Sequence, residues 1–306
     1  MPQVALRNPV HRPFPALQAD GRMLDTSPRR MGWLTPSDPN DDFDRLTAAF
    51  RRDGYLFLKS FFDREAVLDF RGRALSYLGL TKPGIDPRLG VAADPPPDGA
   101  LVNRRLMEFV RSAVFESFCM RDVLWQFMDQ FVGGLSYLHK RKILRHTLPF
   151  HPATTPAHYD LIYLRGGTDR LVTAWIPIGD VPAEMGGLVY LEGSHSTGIE
   201  MEAEFSKKNA ELPAAERISA YNKNMTEGGW VSKDLPSMAE KFDTRWLIAD
   251  YEAGDVVLHS PFMIHAATLN ESREGIIRLS TDIRYQNVTD EIDARWNNHW
   301  TLDDML

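Results

Sequence analysis

Ile276-Ile277-Arg278-Leu279-Ser280-Thr281-Asp282-Ile283-Arg284-Tyr285 is the most regular stretch of the chain, and its period is two. Successive side chains on a strand point to opposite faces. Arg278, Ser280, Asp282 and Arg284 therefore share one side, and Ile277, Leu279, Thr281 and Ile283 the other. Such a strand has two homes. In an antiparallel sheet its polar face meets water. Inside a barrel the same face lines a cavity, where a guanidinium can hold a carboxylate through two hydrogen bonds. From Leu135 onward the pattern repeats: Lys142–Leu148, His158–Leu164, Val172–Ile178, Leu188–Leu191 and Asp255–His259 read as further strands. Turn clusters such as Gly179-Asp180, Gly186-Gly187 and Ala253-Gly254 part them. Short strands punctuated in this way predict a mainly β fold with flanking helices, a sandwich or barrel.

Ahead of that region the period is helical. Phe43, Leu46 and Phe50 share a helix face, Asp63 is placed to cap a helix carrying Val67, Phe70, Ala74 and Leu78, and Val123, Phe127 and Phe131 lie four apart. Tyr55–Leu58 reads as a short buried strand between them. The chain thus reads as one domain over 1–306, with an N-terminal arm and helical flank at 1–134 and a β core at 135–290. An insertion at 196–245 interrupts the core. Its residues 200–245 hold 16 charged side chains in 46 positions without alternation, and Ala214–Tyr221 has helical character.

Composition excludes several functions. Thirty-five Lys+Arg against 42 Asp+Glu give a formal charge of −7, the wrong balance for a nucleic-acid binder. The single cysteine, Cys119, excludes an intrachain disulfide and thiolate-rich zinc or iron–sulfur sites. No run approaches the roughly 18 apolar residues of a membrane span. The prolines and arginines of the first residues match neither a signal peptide nor a transit helix, so the cytosol is the expected location. Nine histidines in an acidic chain remain to direct the search.

His158-Tyr159-Asp160 is the sharpest local feature. On a strand the imidazole and carboxylate would share a face. Two histidines and one carboxylate on one face of an octahedron make the usual site of non-haem Fe(II) oxygenases. Alone the pair is weak, because a buried histidine with a carboxylate partner is commoner. A third ligand would come from His259 or His265, and spacing does not choose between them.

Taken in order, His158-Tyr-Asp160, Trp175 in Thr-Ala-Trp-Ile-Pro-Ile, Glu184-Met-Gly-Gly-Leu-Val-Tyr-Leu-Glu-Gly-Ser-His195, Ile264-His265 and Arg278-Leu-Ser resemble the phytanoyl-CoA dioxygenase family. The resemblance covers about residues 140–290 and implies a double-stranded β-helix, a jelly-roll or cupin-like barrel. It implies Fe(II), 2-oxoglutarate and O2 as cofactor and cosubstrates, with His158, Asp160 and His265 as metal ligands and catalytic centre. His265 is preferred over His259 because it follows a Pro-containing turn and precedes Arg278 by 13 residues, as the family's distal histidine precedes its arginine. Arg278 would hold the distal carboxylate of 2-oxoglutarate, with Trp175 and, more loosely, Tyr163 beside the cosubstrate. One departure stands out: where some relatives carry a serine two residues after the histidine, this chain has Ala267, followed by Thr268. His195 reads as structural, Arg145 as able to reach an anion but more simply as a solvated strand position, and His139, His146, His151 and His299 as surface or supporting residues.

The implied reaction is hydroxylation, desaturation or ring formation on a small, largely apolar metabolite, of the kind found in secondary metabolism. Halogenating relatives lack the carboxylate that Asp160 supplies. Met185 and Phe262 are candidate walls, and the charged insertion a lid over the substrate. Lys140-Arg141-Lys142 reads as a solvated strand end rather than a grip for CoA phosphates. Two alternatives use the same ligands: a non-oxygenase metal-binding jelly roll, and a hydrolase in which a metal activates water. Neither needs Arg278 at its spacing. The expected partner is a small molecule; a homodimer contact through the insertion is also compatible with the sequence.

Overall fold

In the computed structural model, which describes residues 13–213, 216–217 and 230–301, the alternating segment forms β13 (Arg278–Asn287). It sits inside a seven-stranded sheet. The order is β4 (Pro36–Ser37), β5 (Tyr55–Leu58), β11 (Val256–His259), β8 (Val172–Pro177), β13 and β6 (Ser136–Leu138), with β7 (Ile143–Thr147) also paired to β13. A four-stranded sheet faces it: β12 (His265–Ala267), β9 (Leu188–Leu191), β10 (Trp246–Ile248) and β3 (Met31–Trp33). Gln18–Ala19 and Arg22–Met23 form a small separate hairpin, β1 and β2. The two sheets make a jelly roll that hydrogen bonding leaves unclosed.

Each strand of the larger sheet sorts its residues between two cores. Ile277, Leu279 and Ile283 of β13, Ala174 and Ile176 of β8, and Leu56 and Leu58 of β5 pack outward with the helices. These helices are α1 (Phe43–Asp53), α2 (Arg64–Leu78), α3 (Gly99–Phe109), α4 (Ala113–Cys119) and α5 (Asp122–Phe131). Asp63 caps α2 as the sequence predicts, its side chain accepting from the amide of Ala66. Opposite faces of the same strands supply the inter-sheet core, with Tyr55, Phe57, Trp175, Tyr190, Tyr251 and Val257. A third cluster covers the outside of the smaller sheet and includes Tyr159, Ile162, Leu191, Trp246 and Ile264.

One predicted strand is absent. Of His158–Leu164, only His158 joins a β-bridge, and Leu161–Leu164 is a single helical turn, α6. The apolar run Leu161-Ile162-Tyr163-Leu164 is too short for periodicity to separate a buried strand from a buried turn. Long-range bonds decide it: Leu161 N–H donates to the carbonyl of Pro261 at 2.9 Å, and Tyr163 N–H donates back to Asp160 at 3.0 Å. The insertion contains α7 (Ser194–Lys208) and α8 (Leu235–Lys241). The predicted helical stretch 214–221 lies, apart from 216–217, outside the described residues. Among those described, no helix is long and apolar enough to cross a membrane.

Candidate metal and cosubstrate site

His158 and His265 are joined before their side chains meet. Each donates its backbone N–H to the other's carbonyl, at 3.0 and 2.8 Å. Their rings then lie 4.3 Å apart between centroids. Both imidazoles are fixed by one local device, in which Nδ1 meets the carbonyl two residues earlier: Pro156 at 2.8 Å and Met263 at 2.9 Å. A carbonyl only accepts, so Nδ1 carries the proton and Nε2 keeps its lone pair. Burial lowers the pKa of both rings, with Asp160 opposing the shift. Neutral imidazole is the form that binds a metal.

Asp160 completes the group. It stands at the start of α6 in a helical conformation and caps nothing with its side chain. Its two oxygens have different surroundings. Oδ2 accepts from the Thr173 hydroxyl and lies 3.4 Å from His259 Nε2. Oδ1 lies 3.9 Å from both His158 Nε2 and His265 Nε2. Arg284 Nη2 sits 3.3 Å from both oxygens. Burial alone would push this carboxyl up, but Arg284, His259 and His265 outweigh it and hold the pKa well below the usual range. The ligand atoms of His158, Asp160 and His265 lie within 4.8 Å of one another, all on buried residues.

His259 falls outside that group. It is buried on β11, with Nδ1 3.2 Å from the Tyr190 hydroxyl, and it flanks Asp160 from behind. The distal-histidine choice left open by spacing is thus met by geometry that groups His265 with the other two.

The polar face of β13 points between the sheets and not to solvent: Arg278, Ser280, Asp282 and Arg284 are all buried. Arg278 Nη2 donates to Thr147 Oγ1 at 3.1 Å, while its Nε and Nη1 are buried with no partner within the chain. Burial lowers its pKa to about 10. Trp175 Nε1, Ser280 Oγ and Thr268 Oγ1 are also buried without a protein partner. Leaving a buried polar group unpaired costs about 1–3 kcal/mol, more when it is charged. Such a set of orphaned groups fits a polar ligand, and the two orphaned guanidinium N–H groups fit a carboxylate. A soft-metal site would need sulfur, whereas nitrogen and oxygen donors suit Fe(II).

Tyr163, on the α6 turn and not on a strand, has its ring edge-on to His158 with centroids 5.7 Å apart. Trp175 is fully buried against Tyr251, with centroids 4.7 Å apart. Other expectations change. Arg145 is half-buried instead of fully solvated; it turns inward, and its Nε donates to Asp282 at 2.7 Å. Arg141 and Lys142 are buried, the former over Trp296 and the latter 3.3 Å from Glu116, so only Lys140 of this cluster is exposed to solvent. His139 is buried against Gln286 and is not a surface residue. Phe262 packs with the outer cluster, away from the cavity beside Arg278. Sequence reasoning missed Thr173 and Arg284 as partners of Asp160. Strand alternation held the signal, since Thr173 shares the inner face with Trp175, and Arg284 with Arg278.

A brace behind the ligands was also missed. Glu202 of α7 accepts from the Tyr159 hydroxyl and from Arg165, residues that bracket Asp160. The start of the same helix holds the loop before His265. Ser194 Oγ accepts from Ile264 N–H at 3.0 Å, and His195 Nδ1 lies 2.7 Å from Ser260 Oγ, the structural role expected of it. Only glycine allows this approach, because a Cβ on Gly198 would lie 2.2 Å from the Phe262 carbonyl.

A jelly roll carrying a His-Asp-His group beside a buried, unpaired arginine defines an Fe(II)- and 2-oxoglutarate-dependent oxidoreductase. The profile of the phytanoyl-CoA dioxygenase family matches residues 50–278, and the chain belongs to that family. The chain is 24% identical over 262 residues to 1-deoxypentalenic acid 11-beta-hydroxylase of Streptomyces exfoliatus, covering 80% of this chain and 82% of the relative. Its fold is similar to that of the epimerase SnoN from nogalamycin biosynthesis, solved with Fe3+, alpha ketoglutarate and nogalamycin RO (TM-score 0.53, 19% identity, 82% of this chain and 85% of that one). It is also similar to EctD from S. alaskensis with 2-oxoglutarate and 5-hydroxyectoine (TM-score 0.55, 17% identity, 87% and 83% covered).

Proposed function

We propose that His158, Asp160 and His265 hold Fe(II), that Arg278 binds the distal carboxylate of 2-oxoglutarate, and that the enzyme oxidises a small, largely apolar metabolite of secondary metabolism by hydroxylation, desaturation or ring formation. The observation that carries this reading is the pairing of the buried ligand group with a guanidinium whose Nε and Nη1 have no protein partner. A metal hydrolase has no use for such a clamp.

When bound, Fe(II) and 2-oxoglutarate supply the oxidising chemistry, with succinate and CO2 as co-products. The chain supplies position and dryness. Pro156 and Met263 aim the two imidazoles; Thr173, His259 and Arg284 engage the carboxylate so that Oδ1 faces them. Trp175 and Tyr163 would lie beside the cosubstrate, and Thr147 steadies Arg278. The hydroxylase relative, whose name gives 1-deoxypentalenic acid as its substrate, supports a small-molecule substrate. We read residues 1–306 as one oxygenase domain. The described part of the 196–245 insertion is anchored by α7, and we read the insertion as a lid over the substrate; limited proteolysis that cuts it equally with and without substrate would count against that.

Anaerobic addition of Fe(II) and 2-oxoglutarate should give the weak visible charge-transfer band of a chelated complex, and admitting O2 should yield succinate. No band and no succinate would sink the oxygenase reading. Replacing His158 should abolish the band, whereas His259→Ala should weaken it and leave it detectable.

A further inference from the structure

Arg145 is the one arginine around the site that the roles above leave unused. β7 pairs with β13 so that Arg145 lies opposite Ser280 and Thr147 opposite Arg278. Both β7 side chains therefore project onto the inner face, beside the cosubstrate clamp. Arg145 Nε is fixed by Asp282 Oδ2 at 2.7 Å, which orients the guanidinium without using Nη1 or Nη2. Its side chain is 39% exposed, against 8% for Asp282 and 5% for Arg284. That exposure opens into a cavity of about 300 Å³ lined also by Thr147, Thr155, Thr268 and Arg278.

Charge points the same way. The charged side chains acting on the ligand group and on Arg278 are Arg145, Arg278 and Arg284, against Asp160 and Asp282. Over these five side chains one positive charge is left over. A divalent ion and a dicarboxylate cancel each other, so the excess survives in the loaded enzyme. Arg284 is committed to Asp160, and Arg278 to the cosubstrate. Arg145 shares Asp282 but spends only Nε on it, which leaves Nη1 and Nη2 free to meet an incoming anion. Covering these two nitrogens with an apolar substrate would leave charged N–H groups without a partner, which is costly. A substrate bringing one negative charge removes that cost and gains paired, charge-assisted hydrogen bonds.

We propose that Arg145 is a substrate-binding residue and that the substrate class is a monocarboxylic acid on an apolar skeleton, its carboxylate held by Nη1 and Nη2. This rests on the oxygenase reading above. The test uses full-length protein loaded anaerobically with Fe(II) and 2-oxoglutarate, titrated by calorimetry with cyclohexanecarboxylic acid, decanoic acid and their methyl esters. An acid should bind about ten- to a hundredfold tighter than its ester, the range expected for a charged hydrogen-bonded pair. Arg145→Gln should erase that preference while the band still titrates with unchanged 2-oxoglutarate affinity. Arg145→Lys, which keeps a charge beside Asp282, should retain part of the preference. Arg278→Gln should show the reverse pattern, with weakened 2-oxoglutarate and an intact acid preference. Esters binding as well as acids would overturn the proposal. So would Arg145→Gln weakening 2-oxoglutarate as strongly as Arg278→Gln, which would place Arg145 in the cosubstrate clamp. A wild-type protein that forms no band at all fails the oxygenase reading, and this assignment falls with it.

Discussion

The inner face of β13 and the segment 156–165 both deliver polar groups to the same site, by opposite means. β13 is regular. Its pleat alone sends Arg278, Ser280, Asp282 and Arg284 inward while Leu279 and Ile283 anchor the outer side. Segment 156–165 has almost no regular structure, and distant parts of the chain hold it, among them Val231 and Ser232 on Ala157, His265 on His158, Pro261 on Leu161, Trp296 on Tyr163, and Glu202 on Tyr159 and Arg165. A strand positions by repetition; a turn must be positioned from outside. Two of the three metal ligands lie on the externally held segment, the third, His265, opens β12, and the anion clamp lies on β13.

That difference orders the expected consequences of mutation. The largest falls on the turn itself. Asp160→Ala removes the only carboxylate of the group and should eliminate Fe(II) binding while leaving β13 intact; a chelator-competition titration that still shows metal bound would contradict the assignment. Next comes the brace. Glu202→Ala would strip the carboxylate from Arg165, whose side chain is 3% exposed, and breaking a buried pair in this way costs about 3–5 kcal/mol. Urea unfolding should show that loss, with Fe(II) affinity falling as well. If stability falls and metal affinity does not, α7 supports the fold without positioning the ligands.

The same difference explains what the sequence revealed. The alternation around Arg278 was readable because period two is a local property, and only its direction, inward or outward, needed the structure. Spacing and family resemblance together reached His158, Asp160, His265 and Arg278. The wrong step was the strand over 158–164. Ligands two residues apart suggested a shared strand face, yet they converge because Asp160 turns into α6 after His158 leaves its bridge. No local pattern encodes a bond from Leu161 to Pro261 or a glutamate 42 residues beyond Asp160. Arg145 was misread for a related reason. An edge position in sequence resembles a solvated one until its register with Ser280 is known.

A third test sits at the far end of β13. His139 donates its backbone N–H to Arg284 at 3.0 Å and is buried against Gln286. Burial lowers its pKa to about 4, with Gln286 opposing and Arg284 assisting the shift. The unfolded chain, near 6.5, takes up this proton first. The stabilisation is therefore complete above about pH 6.5 and drains away as pH falls towards 4, by about 3 kcal/mol in all. His139→Gln should flatten the stability profile across that window. An unchanged slope would mean that the acid sensitivity arises elsewhere, with Asp160 and its neighbours the next place to look.

The smallest effect should come from Thr173, where strand and turn meet. Thr173 stands on β8 opposite Arg284 in register, and its hydroxyl donates to Asp160 Oδ2. It is thus a strand residue orienting a ligand of the turn. Thr173→Val keeps the shape and removes one hydrogen bond, and losing such an outer partner weakens metal binding by about ten- to a hundredfold. Because Arg284 and His259 still engage the carboxylate, the effect should fall at the low end, with folding intact and the charge-transfer band shifted rather than lost. A Thr173→Val protein with wild-type metal affinity would show that the turn, once braced by α7, orients Asp160 without help from the sheet. A loss as complete as that of Asp160→Ala would show the reverse, a ligand positioned by the strand after all.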